Sequence, residues 1–573
     1  MMAETKLTKY ELLRSELQSE RSSFESHWRD LGDYILPRKP RFTVTDTNKG
    51  DRRNHKIIDS TATLAVRTLR AGMMSGVTSP ARPWFKLGTI RPGLSEIPGV
   101  KEWLDSVTND MSNIFLKSNL YNILPSVYGS MGVFSTAAMA VEEDFDSVVR
   151  FTEFPIGTFL ISNNAKGSVD TFFRELRYTV RQIVEKFGDL DANGQPLNWD
   201  NFSQNVQDLW KTGKKETWID IYHCVKKNDE YDSKKLESRY KKYISTYYEK
   251  GTSSNREEKF LKVSGFDSFR VLCPRWEKSA EDVYGTECPG MICLGDVKAL
   301  QVMHKRKAQA IEKMVNPPMI APTSFRTVST SILPGDITYA DEPEGQKGFR
   351  PAQEVNFQLQ PLLLDIQEHQ RRINSSFYVD LFLMLANSDR RQITAREIQE
   401  RHEEKLLALG PVLEQINQDL LDPLIDITFE IMVKQGRVPE PPKEIQGEGL
   451  KVEYVSIMSQ AQKLVGLAGV ERFSGFASQV ASVNPESLDK IDTDQLLDVY
   501  GDMTSIPPGI VRSDEKVTQI RQQRQEQQQA AQAAEASRQG AATAKDLSST
   551  NLDGDNALTR IIDQSKAGQL GGS

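Results

Sequence analysis

Cysteine is scarce, with four in 573 residues, and none of the four shows the paired spacing of a zinc site. Cys288 and Cys293 stand five apart with Pro289 and Gly290 between them and no histidine nearby, so with Cys224 and Cys273 they read as ordinary reduced thiols. Histidine is also sparse. His27, His55, His223, His304, His369 and His402 are far apart, and His402-Glu403-Glu404 lacks the second histidine that a zinc protease helix places four residues on. No apolar run reaches the roughly 18 residues of a membrane span. The polar stretch Met1 to Lys6 leads into a helix pattern, so no signal peptide is expected. Positive charge is not in excess: 72 Lys and Arg face 79 Asp and Glu, for a net charge of −7. A chain built to wrap nucleic acid is usually basic, so tight binding of a DNA backbone is not the expected mode. With a mean hydropathy of −0.49, the chain reads as soluble and cytoplasmic, and long enough for two to four domains.

Catalytic signatures are missing too. The nearest approach to a phosphate-cradling loop is Lys211-Thr212-Gly213-Lys214-Lys215, which lacks the first glycine and the hydroxyl after lysine. No G-x-S-x-G elbow occurs. Asp553-Gly554-Asp555 resembles a fragment of a calcium loop, but its glycine is misplaced and the terminal glutamate is wanting. A motif search leaves open a metal-dependent nuclease whose carboxylates converge only in the fold. No catalytic residue, metal ligand or cofactor is assigned.

What is present is helix, with some sheet. Leu362, Leu363, Ile366, Ile373, Phe377, Leu381 and Met384 recur mostly three or four apart and predict one helix over Pro361 to Leu385, nearly 40 Å long at about 1.5 Å per residue. Ala386 to Ile393 breaks the pattern. Thr394 and Glu397 then form a T-x-x-E capping box for a further helix, with a bend expected at Pro423. Helices are also expected over Thr5 to Leu36, Lys56 to Gly76, Val100 to Tyr121, Ile123 to Ala140, Gly295 to Met314 and Leu450 to Tyr500. Thr179 caps a short one that closes at Gly188. Strands are expected over Val148 to Ile161, Ser168 to Tyr178, Trp218 to Cys224 and Lys242 to Tyr248. Ser513 to Gln539 reads as a Gln/Ala helix with almost no apolar stripe after Ile520, and Gly540 to Ser573 as a disordered tail.

Several blocks carry a resemblance. They are W-R-D-L-G-D-Y-I-L-P over Trp28 to Pro37, Ile57 to Ala62, L-R-A-G-M-M-S-G-V-T-S-P over Leu69 to Pro80, and Arg82-Pro83-Trp84-Phe85. Further blocks follow in order: Phe154 to Gly157, Asp170 to Glu175, Asn316-Pro317-Pro318, Thr394 to Glu397, Val511 to Ser513 and Ile520 to Glu526. Together they resemble the head-to-tail connector, or portal, family of short-tailed bacteriophages, over nearly the whole chain up to Gly540.

The resemblance implies a mixed α+β, predominantly helical fold that assembles as a dodecameric ring at one capsid vertex, with double-stranded DNA passing through its axis. It implies a wing region over 1–294, stem helices at 295–318 and 357–385, and a clip at 319–356 between them. A tunnel loop at 386–393, a wing helix at 394–449, a crown at 450–512 and a C-terminal helix at 513–539 complete it. The implied partners are the major capsid and scaffolding proteins, the terminase large subunit, tail adaptor or nozzle proteins and internal core proteins, with no membrane.

Asn387, Ser388, Asp389, Arg390, Arg391 and Gln392 would be the tunnel-loop residues. Arg390 and Arg391 either touch DNA phosphates or pair with Asp389 or a neighbouring subunit's acids. Lys305, Arg306 and Lys307 either form a basic ring in the channel or a solvated or inter-subunit helix face. The competing readings of the whole chain are a DNA-packaging nuclease or ATPase, and another tail or collar ring protein.

Overall fold

The computed structural model describes residues 6–95, 97–189, 191, 196–251, 260–279, 281–320, 326, 350–351, 359–387, 409–447, 449–455, 473–480, 491–497, 514–548 and 560. The chain divides into two compact units, Met1–Gly466 and Leu467–Ser573.

The first unit opens with α1 (Lys6–Tyr34) and α2 (Thr61–Gly76). β1 (Phe85–Thr89), the short α3 (Pro92–Ser95), α4 (Pro98–Lys117) and α5 (Leu120–Phe134) follow. Helix ends at Phe134, short of the expected Ala140. Ser135 adopts a left-handed φ of 61°, and Ala138 enters β2 (Ala138–Asp144). The run expected as one strand over Val148 to Ile161 is two, β3 (Val148–Phe154) and β4 (Phe159–Asn163). Pro155 interrupts the ladder, and Gly157 at φ 89° turns the chain where a Cβ would strike the Arg41 carbonyl oxygen at 2.4 Å.

β5 (Val169–Thr179) leads directly into α6 (Val180–Phe187), which Thr179 caps as expected: its side chain accepts from the Gln182 N–H while Gln182 reaches back. α7 (Gln204–Lys211), β6 (Trp218–Lys227), β7 (Tyr243–Glu249), β8 (Lys262–Phe266) and β9 (Val271–Leu272) follow. β4 to β8 form an antiparallel five-stranded sheet in sequence order, and β3-β2-β9 a smaller one. Alternation fills both faces of the larger sheet. Ile221 and Tyr247 pack with Val180, Ile183, Val184 and Trp210 of α6 and α7. Tyr222, Cys224, Phe173 and Tyr248 pack against Leu7, Tyr10 and Leu17 of α1.

α8 (Pro289–Val315) starts earlier than the expected Gly295, because Pro289 at the first helical turn suits its fixed φ. β10 (Met319–Ile320) and β11 (Arg350–Pro351) pair antiparallel. The long helix expected over Pro361 to Leu385 is two, α9 (Leu359–Ser376) and α10 (Val379–Asn387). Tyr378 separates them at φ 55°, a conformation that a non-glycine residue with a ring seldom takes. Further on, a π-helical turn at Asn417–Leu421 runs into α11 (Asp422–Lys434), with Pro423 in its first turn. The expected bend at Pro423 therefore has a π-turn immediately before it, one of the recognised causes of helix irregularity. Leu450–Tyr454, expected to be helical, is instead strand β12, paired antiparallel with β1. Its alternating L-K-V-E-Y pattern puts Leu450, Val452 and Tyr454 against the main core. That core gathers α1, α2, α4, α5, the first half of α8, and α9 to α11.

In the second unit, α12 (Asp514–Ser548) is 35 residues long, or about 52 Å at 1.5 Å per residue. It runs nine residues past the expected end at Gln539, through Gly540. Arg521 makes a two-pronged pair with Asp494 at 2.7 and 2.8 Å, and the helix is exposed from Arg521 to Gln539.

Candidate functional site

α8 and α9 lie side by side, and the two ends of α8 have opposite characters. In its first half Gly290, Cys293, Val297 and Leu300 are buried. Gly290 sits where an added Cβ would meet the Val133 Cα and carbonyl oxygen at 2.8 Å, so glycine lets the helix start against α5. From Val302 onward α8 stands out from the body. Val302, Ile311, Met314 and Val315 are exposed, as is Leu364 on α9.

A polar seat pins this helix pair where it leaves the core. The Gln301 carbonyl oxygen accepts from the backbone N–H of Ile58 at 2.6 Å and of Asp59 at 2.8 Å, and its amide donates to the Asp59 carbonyl at 3.0 Å. The Asp59 carboxylate accepts from the Thr61 N–H at 2.9 Å and from Gln370 Nε2 at 3.2 Å. His304 Nε2 lies 3.3 Å from the same carboxylate without hydrogen-bond geometry. His369 Nδ1 and Asp296 Oδ1 join the two helices at 2.7 Å, and Lys298 reaches Asp30 of α1 at 2.6 Å. The Ile58–Asp59 segment before α2 is thus clamped by α8 and α9 together.

Lys305, Arg306 and Lys307 lie just beyond this seat. Lys305 and Arg306 are exposed and Lys307 is half-buried. Among the described residues none of the three forms an ion pair. Consecutive helical residues point about 100° apart, so the triplet spreads over more than half of the helix circumference.

Of the residues expected in a tunnel loop, Asn387 ends α10. Ser388, Asp389, Arg390, Arg391 and Gln392 lie outside the described residues, as do Thr394 and Glu397 of the expected capping box. The segments on either side of them are firmly held. α10 rests on α2, where Gly72 leaves room for the buried ring of Phe382. On the far side, the π-turn presents Asp419 to Arg275, whose side chain is 1% exposed. Arg275 donates to both carboxylate oxygens, Nε at 2.9 Å and Nη2 at 3.1 Å. Its remaining donors reach Asn163 Oδ1, the Val283 carbonyl and the Gly167 carbonyl. Gln415 supports Asp419 at 2.7 Å. Sequence reasoning missed this pair: 144 residues separate the partners, and neither stands in a pattern that marks it.

The remaining chemistry-bearing groups are tied up in packing. Burial pushes the thiols of Cys224, Cys288 and Cys293 up to about 12, and that of Cys273 higher still, which removes them as nucleophiles. Ser245 Oγ lies 3.0 Å from His223 Nε2, the one serine–histidine contact of catalytic type seen among the described residues. Arg174 Nε donates to His223 Nδ1 at 3.0 Å, so the proton sits on Nε2 and points at Ser245. A hydrolase needs a carboxylate at Nδ1 and a free lone pair at Nε2; this pair has the reverse. Burial first, then Arg174, holds His223 well below the usual histidine range, and the ring stacks on Tyr247 at 3.9 Å. Among the described residues no cluster of acids, histidines and cysteines is arranged to hold a metal, and no helix is long and apolar enough to cross a membrane.

Large apolar side chains left bare among charged ones on two long packed helices fit a subunit that contacts neighbours. Residues 7–511 match the family described as bacteriophage head to tail connecting protein. The chain is 48% identical to the portal protein of Salmonella phage epsilon15 over 568 residues, spanning 99% of this chain and 100% of that one. It is 45% identical to a probable portal protein of Bordetella phage BPP-1 over 546 residues, 95% and 96% of the two chains. The chain therefore belongs to the head-to-tail connecting, or portal, family of bacteriophages.

Proposed function

We propose that twelve copies of this chain form a ring at one capsid vertex, through which double-stranded DNA enters during packaging and leaves at ejection. The observation that carries this reading is a set of apolar side chains left exposed among charged ones: Val302, Ile311, Met314 and Val315 on α8, with Leu364 on α9. Each large side chain left in water forgoes about 1.5–3 kcal/mol of burial, so a cluster on a protruding helix pair calls for neighbours. Heterologous contacts that close on themselves make a ring. The acidic balance of −7 per subunit, multiplied around the ring, suits a conduit that lets a polyanion slide.

In this reading residues 295–318, in α8, and 357–385, in α9 and α10, are the stem, and 319–356 the clip. The clip docks the terminase large subunit first and tail adaptor or nozzle proteins afterwards. The wing meets major capsid and scaffolding proteins, and residues 450–512 form the crown toward internal core proteins. No cofactor is required.

Sizing chromatography with light scattering should find a species roughly twelvefold heavier than 64.7 kDa, with a central hole in negative-stain images. A monomer that hydrolyses ATP would overturn the reading in favour of a packaging enzyme. A ring that fails to bind the terminase large subunit would favour another tail or collar component.

Within the ring, the segment after Asn387 is the gate. Replacing Arg390 and Arg391 together by alanine should leave ring assembly intact and lower packaged-genome yield. Normal yield would remove these arginines from DNA handling.

A further inference from the structure

The connection between α1 and α2 is a basic island in an acidic chain. Residues 38–56 hold seven Lys and Arg against two Asp, where the whole chain has 72 against 79. Three of the seven are neutralised: Lys39 by Glu153 at 2.8 Å, Lys56 by Asp33 at 2.6 Å, and Arg53 by Asp46 within the loop. Arg38, Arg41, Lys49 and Arg52 form no ion pair among the described residues, and neither does Asp51. Four cations therefore stand against one carboxylate. Arg38, Lys49 and Arg52 are exposed, and Arg41 is half-buried.

Backbone contacts hold these cations in place. Arg38 Nη1 donates to the Lys49 carbonyl and Nη2 to the Asp51 carbonyl, both at 3.3 Å, and Asn48 Nδ2 donates to the Arg38 carbonyl at 2.8 Å. The acceptors are neutral, so the guanidinium keeps its charge and lies against the stretch that carries Lys49 and Arg52. A guanidinium has five N–H donors, so Arg38 has donors to spare. Arg53 Nη2 also donates to the Thr47 carbonyl at 3.0 Å. At the start of the loop the Arg41 N–H meets the Ile156 carbonyl at 2.9 Å, and just past its end Ile58 and Asp59 sit in the Gln301 seat.

The loop has the composition of a phosphate contact. Thr43, Thr45, Thr47 and Asn54 are exposed among the cations, and such neutral donors share phosphate oxygens with Lys and Arg. No large apolar side chain is exposed between Arg38 and Lys56, whereas a protein interface builds its centre on aromatic and other large side chains that become desolvated. We propose that residues 38–56 bind the phosphate backbone of double-stranded DNA, through Arg38, Lys49 and Arg52 and without reading base sequence. The choice of DNA rests on the reading above; the surface rests on its uncompensated cations. About three phosphate contacts make a weak hold that added salt dissolves, so the loop steadies a duplex without stalling it.

Lys49→Ala with Arg52→Ala tests it. Both side chains are exposed and form no ion pair, so thermal unfolding should stay at the wild-type temperature. The wild-type full chain should bind a labelled duplex of about 30 base pairs and arbitrary sequence, with affinity falling roughly 40-fold between about 50 and 200 mM salt, the slope for three contacts. The double variant should bind at least tenfold more weakly at the lower salt, and its salt dependence should shrink to roughly fourfold. Lys227→Ala with Lys234→Ala, which removes two exposed cations from the β6–β7 connection, should bind like wild type. No duplex binding by wild type, wild-type binding by the Lys49/Arg52 variant, or an equal loss in the Lys227/Lys234 variant would overturn the proposal. Displacement of the duplex by polyglutamate at equal charge would overturn it in favour of an acidic protein partner. Oligomer mass tests the ring and duplex affinity tests the loop, so each can fail alone.

Discussion

Asp419→Ala should destabilise the first unit by about 3–5 kcal/mol, the usual cost of leaving one partner of a buried ion pair uncompensated. Arg275 is 1% exposed and spends two of its donors on this carboxylate. Without it, a full positive charge stays in the core beside three neutral acceptors, Asn163, Val283 and Gly167. Chemical denaturation followed by tryptophan fluorescence measures the loss. Asp419→Asn keeps the shape and one acceptor oxygen, so it should lose less. Arg275→Met with Asp419→Leu removes both charges and should recover much of the stability, because an apolar pair of similar volume avoids the desolvation cost. If the double variant is as weak as Asp419→Ala, packing rather than charge governs the site.

Gly72→Ala should also destabilise, by about 1–3 kcal/mol, although alanine in place of an exposed helical glycine usually stabilises by roughly 0.5–1 kcal/mol. The sign turns on Phe382. A Cβ at position 72 would stand 2.1 Å from both Cγ and Cδ1 of that ring and 2.6 Å from its Cβ. Both helices are pinned by other contacts, α10 through the buried Leu381 and α2 through the buried Leu69 and Met73, so neither yields cheaply. In a Phe382→Ala background two of the three colliding atoms are gone, and the cost of Gly72→Ala should fall by 1 kcal/mol or more, a coupling typical of touching residues. Thermal unfolding of the four proteins in the cycle gives the number. An unchanged cost would mean that α10 moves away from α2 without penalty.

Local chemistry made part of this structure legible. Thr179 and Gln182 form a capping box that ends where Gly188 begins, and the alternation over Trp218 to Cys224 marks a strand flanked by packed faces. Periodicity alone failed where a single residue changed the backbone path. The apolar spacing runs unbroken through Phe377 and Leu381, and nothing in it announces that Tyr378 takes a left-handed turn between them. Leu450 to Tyr454 alternates, but it became a strand only because Phe85–Thr89, more than 360 residues earlier, supplied an edge to pair with. Gly540 was a plausible stop, yet helix continues through it to Ser548.

The site was legible to the same uneven degree. Of the helices that pattern placed at Gly295 to Met314 and Pro361 to Leu385, α8 covers the first, while the second is broken into α9 and α10 at Tyr378. The seat around Asp59 and Gln301 joins positions 242 residues apart, and the Arg275–Asp419 pair joins positions 144 apart, so neither leaves a local trace. Lys305, Arg306 and Lys307, adjacent in sequence, fan around a helix in space.

The anchors on either side of residues 388–408 have a mechanical consequence. On one side Phe382 is lodged against α2; on the other Asp419 is locked to Arg275 and through it to the β4–β5 loop. A pull on the intervening chain is therefore borne by two separate footings in the first unit. Tension on that chain would load the broad core of the first unit first, while α8 and α9 keep their alignment.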